Sequence, residues 1–226
     1  MTDMNEREFD AAHDQRPLVR RLKKHPRDWQ REDLVRLCLE DGIRVVNFRY
    51  PSFDGKLREL RLPVATPAYL RQILAAGERV DGSSLFPGLF DAGESDLYVV
   101  PVYRWAFLDP WASDELHVVC RFAGRDGAPA SVTPDNLLAA VAARVHRESG
   151  LVLKALAELE LYLILERSDE RFTGRSQRNY HQSAPYLHGR VIADDILRHA
   201  AAITGAVKYC HGEVGYIDRL ESSDSE

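Results

Sequence analysis

Glu158 and Glu160 stand at i and i+2 in a run of alternating residues. In an extended strand that spacing puts both carboxylates on one face, with their roots ~6–7 Å apart, so each can bind its own divalent ion or both can hold one through water. Carboxylate oxygens are hard ligands, and the ions that suit them are magnesium and manganese. An isolated Glu-x-Glu is ordinarily a solvated acidic strand face. Here Leu156 and Ile164 flank the pair on the same face, which fits a merely solvated surface less well. His211 and Glu213 repeat the arrangement in a second alternating run, although a lone His-x-Glu is more often a structural hydrogen bond than a ligand pair. Two such strands side by side in one sheet would make a metal site.

Other chemistry is harder to find. Asp81-Gly82-Ser83-Ser84 reads by itself as a turn, because Asp and Ser bond back to the local backbone and Gly frees the chain. There is no Walker-type glycine loop, no GxSxG elbow and no HExxH helix, so the common nucleotidase, hydrolase and zincin readings lose support.

The elements that would position these residues fall into two groups. A helix over 33–40 ends at Asp41-Gly42, and a hairpin follows over 43–64, turning at 51–55. Thr66-Pro67 is a helix start, with Tyr69, Leu70, Ile73 and Leu74 as the apolar stripe up to Gly77. Strands are predicted over 97–100 and 116–122. Hairpins with one crossing helix make a small α+β domain over roughly 35–122.

The second group opens with Thr133-Pro134 and a helix with Leu137, Leu138, Val141 and Val145 on one side, stopped by Gly150. The run 151–166 has a clean period of two and predicts a strand, with leucines and alanines on one face and Leu156, Glu158, Glu160, Tyr162 and Ile164 on the other. Polar residues 167–189 predict a long loop, a candidate substrate lid. A helix over 191–204 and a strand over 207–214 complete the pattern.

Composition bounds the function. The chain has 226 residues, 45% hydrophobic and 29% charged, with a net charge of -5, so it can bury a sizeable core and has no general attraction to nucleic acid or to an acidic membrane. The basic cluster Arg20, Arg21, Lys23 and Lys24 reads as a solvated N-terminal helix or arm. Cys38, Cys120 and Cys210 are far apart, in apolar runs and without CxxC spacing, and are expected to be buried thiols. The N-terminal residues do not form a signal peptide, and no apolar run is long enough to span a bilayer, so the expected location is cytoplasmic.

Taken in order, Val80-Asp81-Gly82-Ser83-Ser84, Glu94-Ser95-Asp96-Leu97, Glu158-Leu159-Glu160-Leu161 and His211-Gly212-Glu213-Val214-Gly215 resemble the motifs of glutamine synthetases, over about residues 33–215. The hairpin also looks like the strand pair of that family's β-grasp domain. The resemblance implies an α+β fold: an N-terminal arm over 1–32, a β-grasp domain over 33–125 and, over 130–226, the truncated opening of the antiparallel β/α catalytic domain. It implies an ATP-dependent carboxylate-amine ligase that joins glutamate, or a related carboxylate, to ammonia or an amine through γ-glutamyl phosphate, with Mg2+ or Mn2+ as cofactor. Glu158 then matches a ligand of the ATP-side metal, and Glu160 and Glu213 match ligands of the glutamate-side metal. Asp81 matches the aspartate that a neighbouring subunit of a homo-oligomeric ring lends to the ammonium pocket, and Ser84 a polar contact beside it.

The sequence departs from the family in places. Leu156-Ala157 replaces a Gly-Pro, and Gly212 replaces a second histidine. A further metal-binding glutamate is represented only by Glu221, whose neighbours do not match. The family's later strands would lie beyond Glu226, so these 226 residues alone are expected to be inactive. A γ-glutamyl amine or polyamine ligase and a non-catalytic structural or regulatory relative remain alternatives.

Overall fold

The computed structural model describes residues 10–90, 93, 95–164, 172 and 178–215, in two compact units, Met1–Ala155 and Leu156–Glu226. Glu94, Glu221 and residues 167–171 and 173–177 of the expected lid lie outside the described residues.

The first unit begins with α1 (Pro17–Leu22) and α2 (Arg31–Glu40). Asp33 closes the N-terminus of α2 by accepting a 3.0 Å hydrogen bond from the Gln30 amide, half of a capping box. A hairpin of β1 (Val45–Pro51) and β2 (Leu57–Pro63) follows, in the register Val45↔Pro63 through Pro51↔Leu57. Next come α3 (Pro67–Ala76), β3 (Glu78–Asp81), the single turn α4 (Gly82–Leu85), and the long pair β4 (Asp96–Leu108) and β5 (Glu115–Ala123). The strands form one mixed sheet in the order β2-β1-β5-β4-β3, with β1 and β5 parallel and the other neighbours antiparallel.

Alternation decides which side of this sheet is buried. Val46 and Phe48 of β1 and Leu116, Val118, Cys120 and Phe122 of β5 enter the core, together with Leu34 and Leu37 of α2 and Leu70 and Ile73 of α3. Phe122 meets Phe86 and Tyr50 edge-on, at 5.1 and 5.6 Å between ring centroids. The hairpin, the crossing helix and the strands over 97–100 and 116–122 stand as the sequence predicts, and the structure pairs those two strands with each other. The long β4 carries an irregularity between Pro101 and Ala106 that alternation alone does not announce.

Helix α5 (Pro134–Ser149) is tied to β5 by polar groups. Asn136 Nδ2 donates to the carbonyls of Phe122 (2.7 Å) and Ala130 (3.1 Å) and to Thr133 Oγ1 (2.9 Å), and Asp135 accepts from the Phe122 amide at 3.0 Å. The predicted stripe Leu137, Leu138, Val141 and Val145 is exposed.

In the second unit α6 (Arg190–Thr204) forms as expected and ends at Gly205 in the left-handed conformation. Over the described residues the two predicted strands do not form. Residues 151–164 belong to no helix or strand and are all exposed, and 207–214 likewise belong to no strand, although the Gly212 carbonyl accepts from the His181 amide at 3.0 Å. An extended run becomes a strand only when a neighbour takes its amides and carbonyls in a continuing ladder, and neither run has such a ladder among the described residues. Cys38 and Cys120 are buried as expected, whereas Cys210, on one of these unpaired runs, is exposed. No helix among the described residues is long and apolar enough to cross a membrane.

Candidate functional site

Asp81 ends β3, where it pairs in register with Asp96 of β4, and caps α4. One carboxylate oxygen accepts from the Ser83 amide (3.0 Å) and the Ser83 hydroxyl (2.8 Å), and the other from the Ser84 hydroxyl (2.6 Å). Together with the Ser95 hydroxyl, these donors, Ser84 foremost, hold the carboxyl well below the usual carboxylate range although Asp81 is exposed. The segment the sequence reads as a turn is therefore a rigid carboxylate mount. Gly82 is needed there, because its amide donates to the Ser95 carbonyl at 2.7 Å and a β-carbon would lie 2.8 Å from that same oxygen. Ser83 and Ser95 were not singled out by sequence. Their signal was the capacity of a hydroxyl two residues along the chain, or one strand across, to reach the aspartate.

Ser84 also borders an open cleft of about 510 Å3 that Arg49 and Arg58 help to line. Both arginines are already paired, Arg49 with Glu59 and Arg58 with Asp54, each at 2.9 Å.

The remaining expected site residues lie in the other unit. Glu158 and Glu160 are exposed on the unpaired run, and Glu213 is exposed, with its Oε1 accepting from the Val214 amide at 2.9 Å. The structure does not gather the three into one group of ligand atoms. Their donor chemistry nonetheless fits the expected ions, since all three offer only carboxylate oxygens. His211 packs against His181 at 4.3 Å and Tyr180 at 5.2 Å between ring centroids, and its Nδ1 lies 3.0 Å from the Gly212 carbonyl oxygen. Tyr180 and His181 come from the expected loop, which has no periodicity to mark them. Tyr162 lies against Gly215, where a β-carbon would meet its hydroxyl at 2.8 Å, so the Glu158 and His211 runs are brought close within this unit.

Residues 42–123 match the family model of the glutamine synthetase β-grasp domain. A glutamine synthetase of Clostridium saccharobutylicum is 25% identical over 162 residues, which are 70% of this chain and 34% of the relative. Among solved structures, Plasmodium falciparum glutamine synthetase aligns with a TM-score of 0.61 at 16% identity, over 83% of this chain and 42% of that one. A GmaS–ADP complex aligns with a TM-score of 0.53, also at 16% identity, over 74% of this chain and 38% of that one. The chain thus spans much less than two thirds of the relatives it matches.

Proposed function

Residues 42–123 are a glutamine synthetase β-grasp domain, and from that premise we propose that the protein acts in an ATP-dependent ligase that joins glutamate, or a related γ-carboxylate, to ammonia or an amine. The observation that carries this reading is the agreement of the domain match with the Asp81 mount, which lies inside the matched residues and is built by the Asp-Gly-Ser-Ser motif itself. In this proposal residues 1–32 are an arm, 33–125 the β-grasp domain and 130–226 the opening part of a catalytic domain.

Each residue has a role in the scheme. Glu158, Glu160 and Glu213, with Glu221 as a further candidate, hold Mg2+ or Mn2+, which when bound offset the charge of the transferring phosphoryl group. Asp81 faces an ammonium ion and helps take its proton, and Ser84 holds the carboxylate in place. Its serine donors favour the charged form, so Asp81 stays anionic at neutral pH, as attraction of ammonium requires. We place Asp81 and Ser84 at the active site of a neighbouring subunit in a homo-oligomeric ring.

The test is phosphate release from ATP by the product of the full reading frame, measured with glutamate and ammonia separately and together. Release that needs both, and is lost in Glu160→Gln, supports the reading. Dependence on another amine in place of ammonia identifies a γ-glutamyl amine ligase, and a metal-loaded, folded protein that releases no phosphate with any of them overturns it. The 226-residue chain by itself is expected to release none, because its three acidic ligands are exposed and ungathered.

A further inference from the structure

The sheet face opposite the core holds a second set of ligand-type side chains, which the proposed ligase chemistry does not use. His117 of β5 stands between β1 and β4, in register with Asn47 and Phe107, and is only 1% exposed. Its ring stacks on Phe107 at 5.0 Å between centroids, which fixes the ring plane. Nε2 lies 2.8 Å from Asp109 Oδ2 and 3.6 Å from Glu115 Oε2, the first within ion-pair distance, but neither contact has hydrogen-bond geometry. A buried ring nitrogen whose carboxylate neighbours are not aligned as hydrogen-bond acceptors is incompletely satisfied.

Both carboxylates are anchored by one oxygen and present the other. Asp109 Oδ1 accepts from the amides of Trp111 (2.7 Å) and Ala112 (3.0 Å) in the β4–β5 turn, which leaves Oδ2 toward the ring. Glu115 Oε1 is held by Arg61, which leaves Oε2 toward the ring. One ligand atom from each of the three residues lies within 4.8 Å of the other two. Ligand atoms on neighbouring corners of one shell, with metal–ligand bonds of ~2.0–2.2 Å, sit ~3–3.5 Å apart and do not hydrogen-bond one another. The observed 2.8 and 3.6 Å bracket that spacing.

We propose that Asp109, Glu115 and His117 bind one divalent transition-metal ion through Oδ2, Oε2 and Nε2. A set of one imidazole and two carboxylates suits zinc, with a fourth position open to water, and suits magnesium or calcium poorly because they prefer an all-oxygen shell. Arg49 opposes the ion. Its Nε donates to His117 Nδ1 at 3.1 Å, so without metal the ring proton resides on Nε2. On binding, Nε2 gives up that proton and Nδ1 takes one, while Arg49 leaves Nδ1 and keeps Glu59, its 2.9 Å partner. The ring stays neutral and no net proton is released. The role is structural, clamping the β4–β5 turn to the outer face of the sheet.

The test is a titration of metal-free protein with Co2+, read by its visible absorption and competed with Zn2+. It is run in a Glu158→Gln, Glu160→Gln, Glu213→Gln background, so that failure of the ligase reading and failure of this one remain separate. One equivalent of cobalt with four- or five-coordinate bands, bleached by zinc, is expected. The Asp109→Asn, Glu115→Gln double variant, checked by circular dichroism to be folded, should bind at least ~10-fold more weakly, and Arg49→Gln several-fold more tightly. His117 is too deeply buried for its own variant to be the deciding one. Absence of cobalt bands in the parent, cobalt binding unaltered by the double variant, or no gain in Arg49→Gln would each overturn the proposal.

Discussion

Ser84 Oγ donates a 2.6 Å hydrogen bond to the Asp81 carboxylate three residues before it, the foremost of the contacts that favour the charged form. Ser84→Ala should therefore raise the Asp81 pKa toward the ordinary range, leaving the Ser83 and Ser95 contacts in place. Because the folded-state pKa is depressed, the contribution of Asp81 to stability is present above the unfolded-state value of about 3.9 and is lost as the pH falls through the folded value. A carboxyl-carbon NMR titration of Asp81 reads both states. An unchanged midpoint in Ser84→Ala would show that the serine does not set the charge.

Gly77 links α3 to β3 with φ +73°, and a β-carbon there would lie 2.2 Å from the Val99 carbonyl oxygen. Gly55, in the β1–β2 turn, has φ +76° but nothing within 4 Å. Gly55→Ala should cost about 1 kcal/mol from the left-handed backbone alone, whereas Gly77→Ala should cost about 3 kcal/mol or more because β3 and β4 must separate. Urea midpoints of the two variants compare these costs directly. Equal destabilisation would mean that the close approach of Gly77 to β4 is relieved by small shifts.

Asp33 is 5% exposed and accepts from Lys24 Nζ at 2.5 Å and from the Gln30 amide at 3.0 Å. Burial pushes its carboxyl up, but Lys24 and the capping amide outweigh burial and leave it below the ordinary value. With the folded pKa depressed, its stabilisation is full above about pH 4 and falls away as the solution is acidified through the folded value. Asp33→Ala should cost about 2 kcal/mol at pH 7, from the lost cap and the lost charged hydrogen bond, and much less at pH 2. Parallel unfolding curves at the two pH values measure the difference, and a pH-independent loss would assign the effect to packing.

The first unit was legible because local signals and tertiary partners agree there. Thr66-Pro67 starts α3, Gly77 ends it, and the alternating residues of β1 and β5 find each other across the sheet. The Asp81 motif was legible as a turn but not as a mount, because the serine contacts depend on which hydroxyls the fold brings to the aspartate. Glu115-x-His117 has the same i, i+2 spacing that singled out Glu158 and Glu160. That spacing alone does not mark a site, because Asp109, the residue that completes it, comes from the far side of the β4–β5 turn. The runs 151–166 and 207–214 carry strand patterns that the structure does not realise over the described residues 151–164 and 207–214. Alternation records what a segment would bury if paired, while pairing itself depends on a neighbour.

That distinction gives the last prediction. Residues 151–164 join no sheet and are exposed along their whole length, whereas β5 is paired on both sides and its core-facing residues are buried. Amide hydrogen exchange followed by mass spectrometry should show 151–164 exchanging close to the rate of an unstructured chain, and the 116–122 amides protected by the global stability of the first unit. Glu158 and Glu160 sit in the middle of the unprotected run, so an ion bound there should be weak and should leave the exchange nearly unchanged at millimolar Mn2+. Cover supplied by a partner strand would convert the same residues into a protected ladder and fix both carboxylates on one face. Protection of 151–164 comparable to 116–122 in the isolated chain would mean that the strand forms unaided.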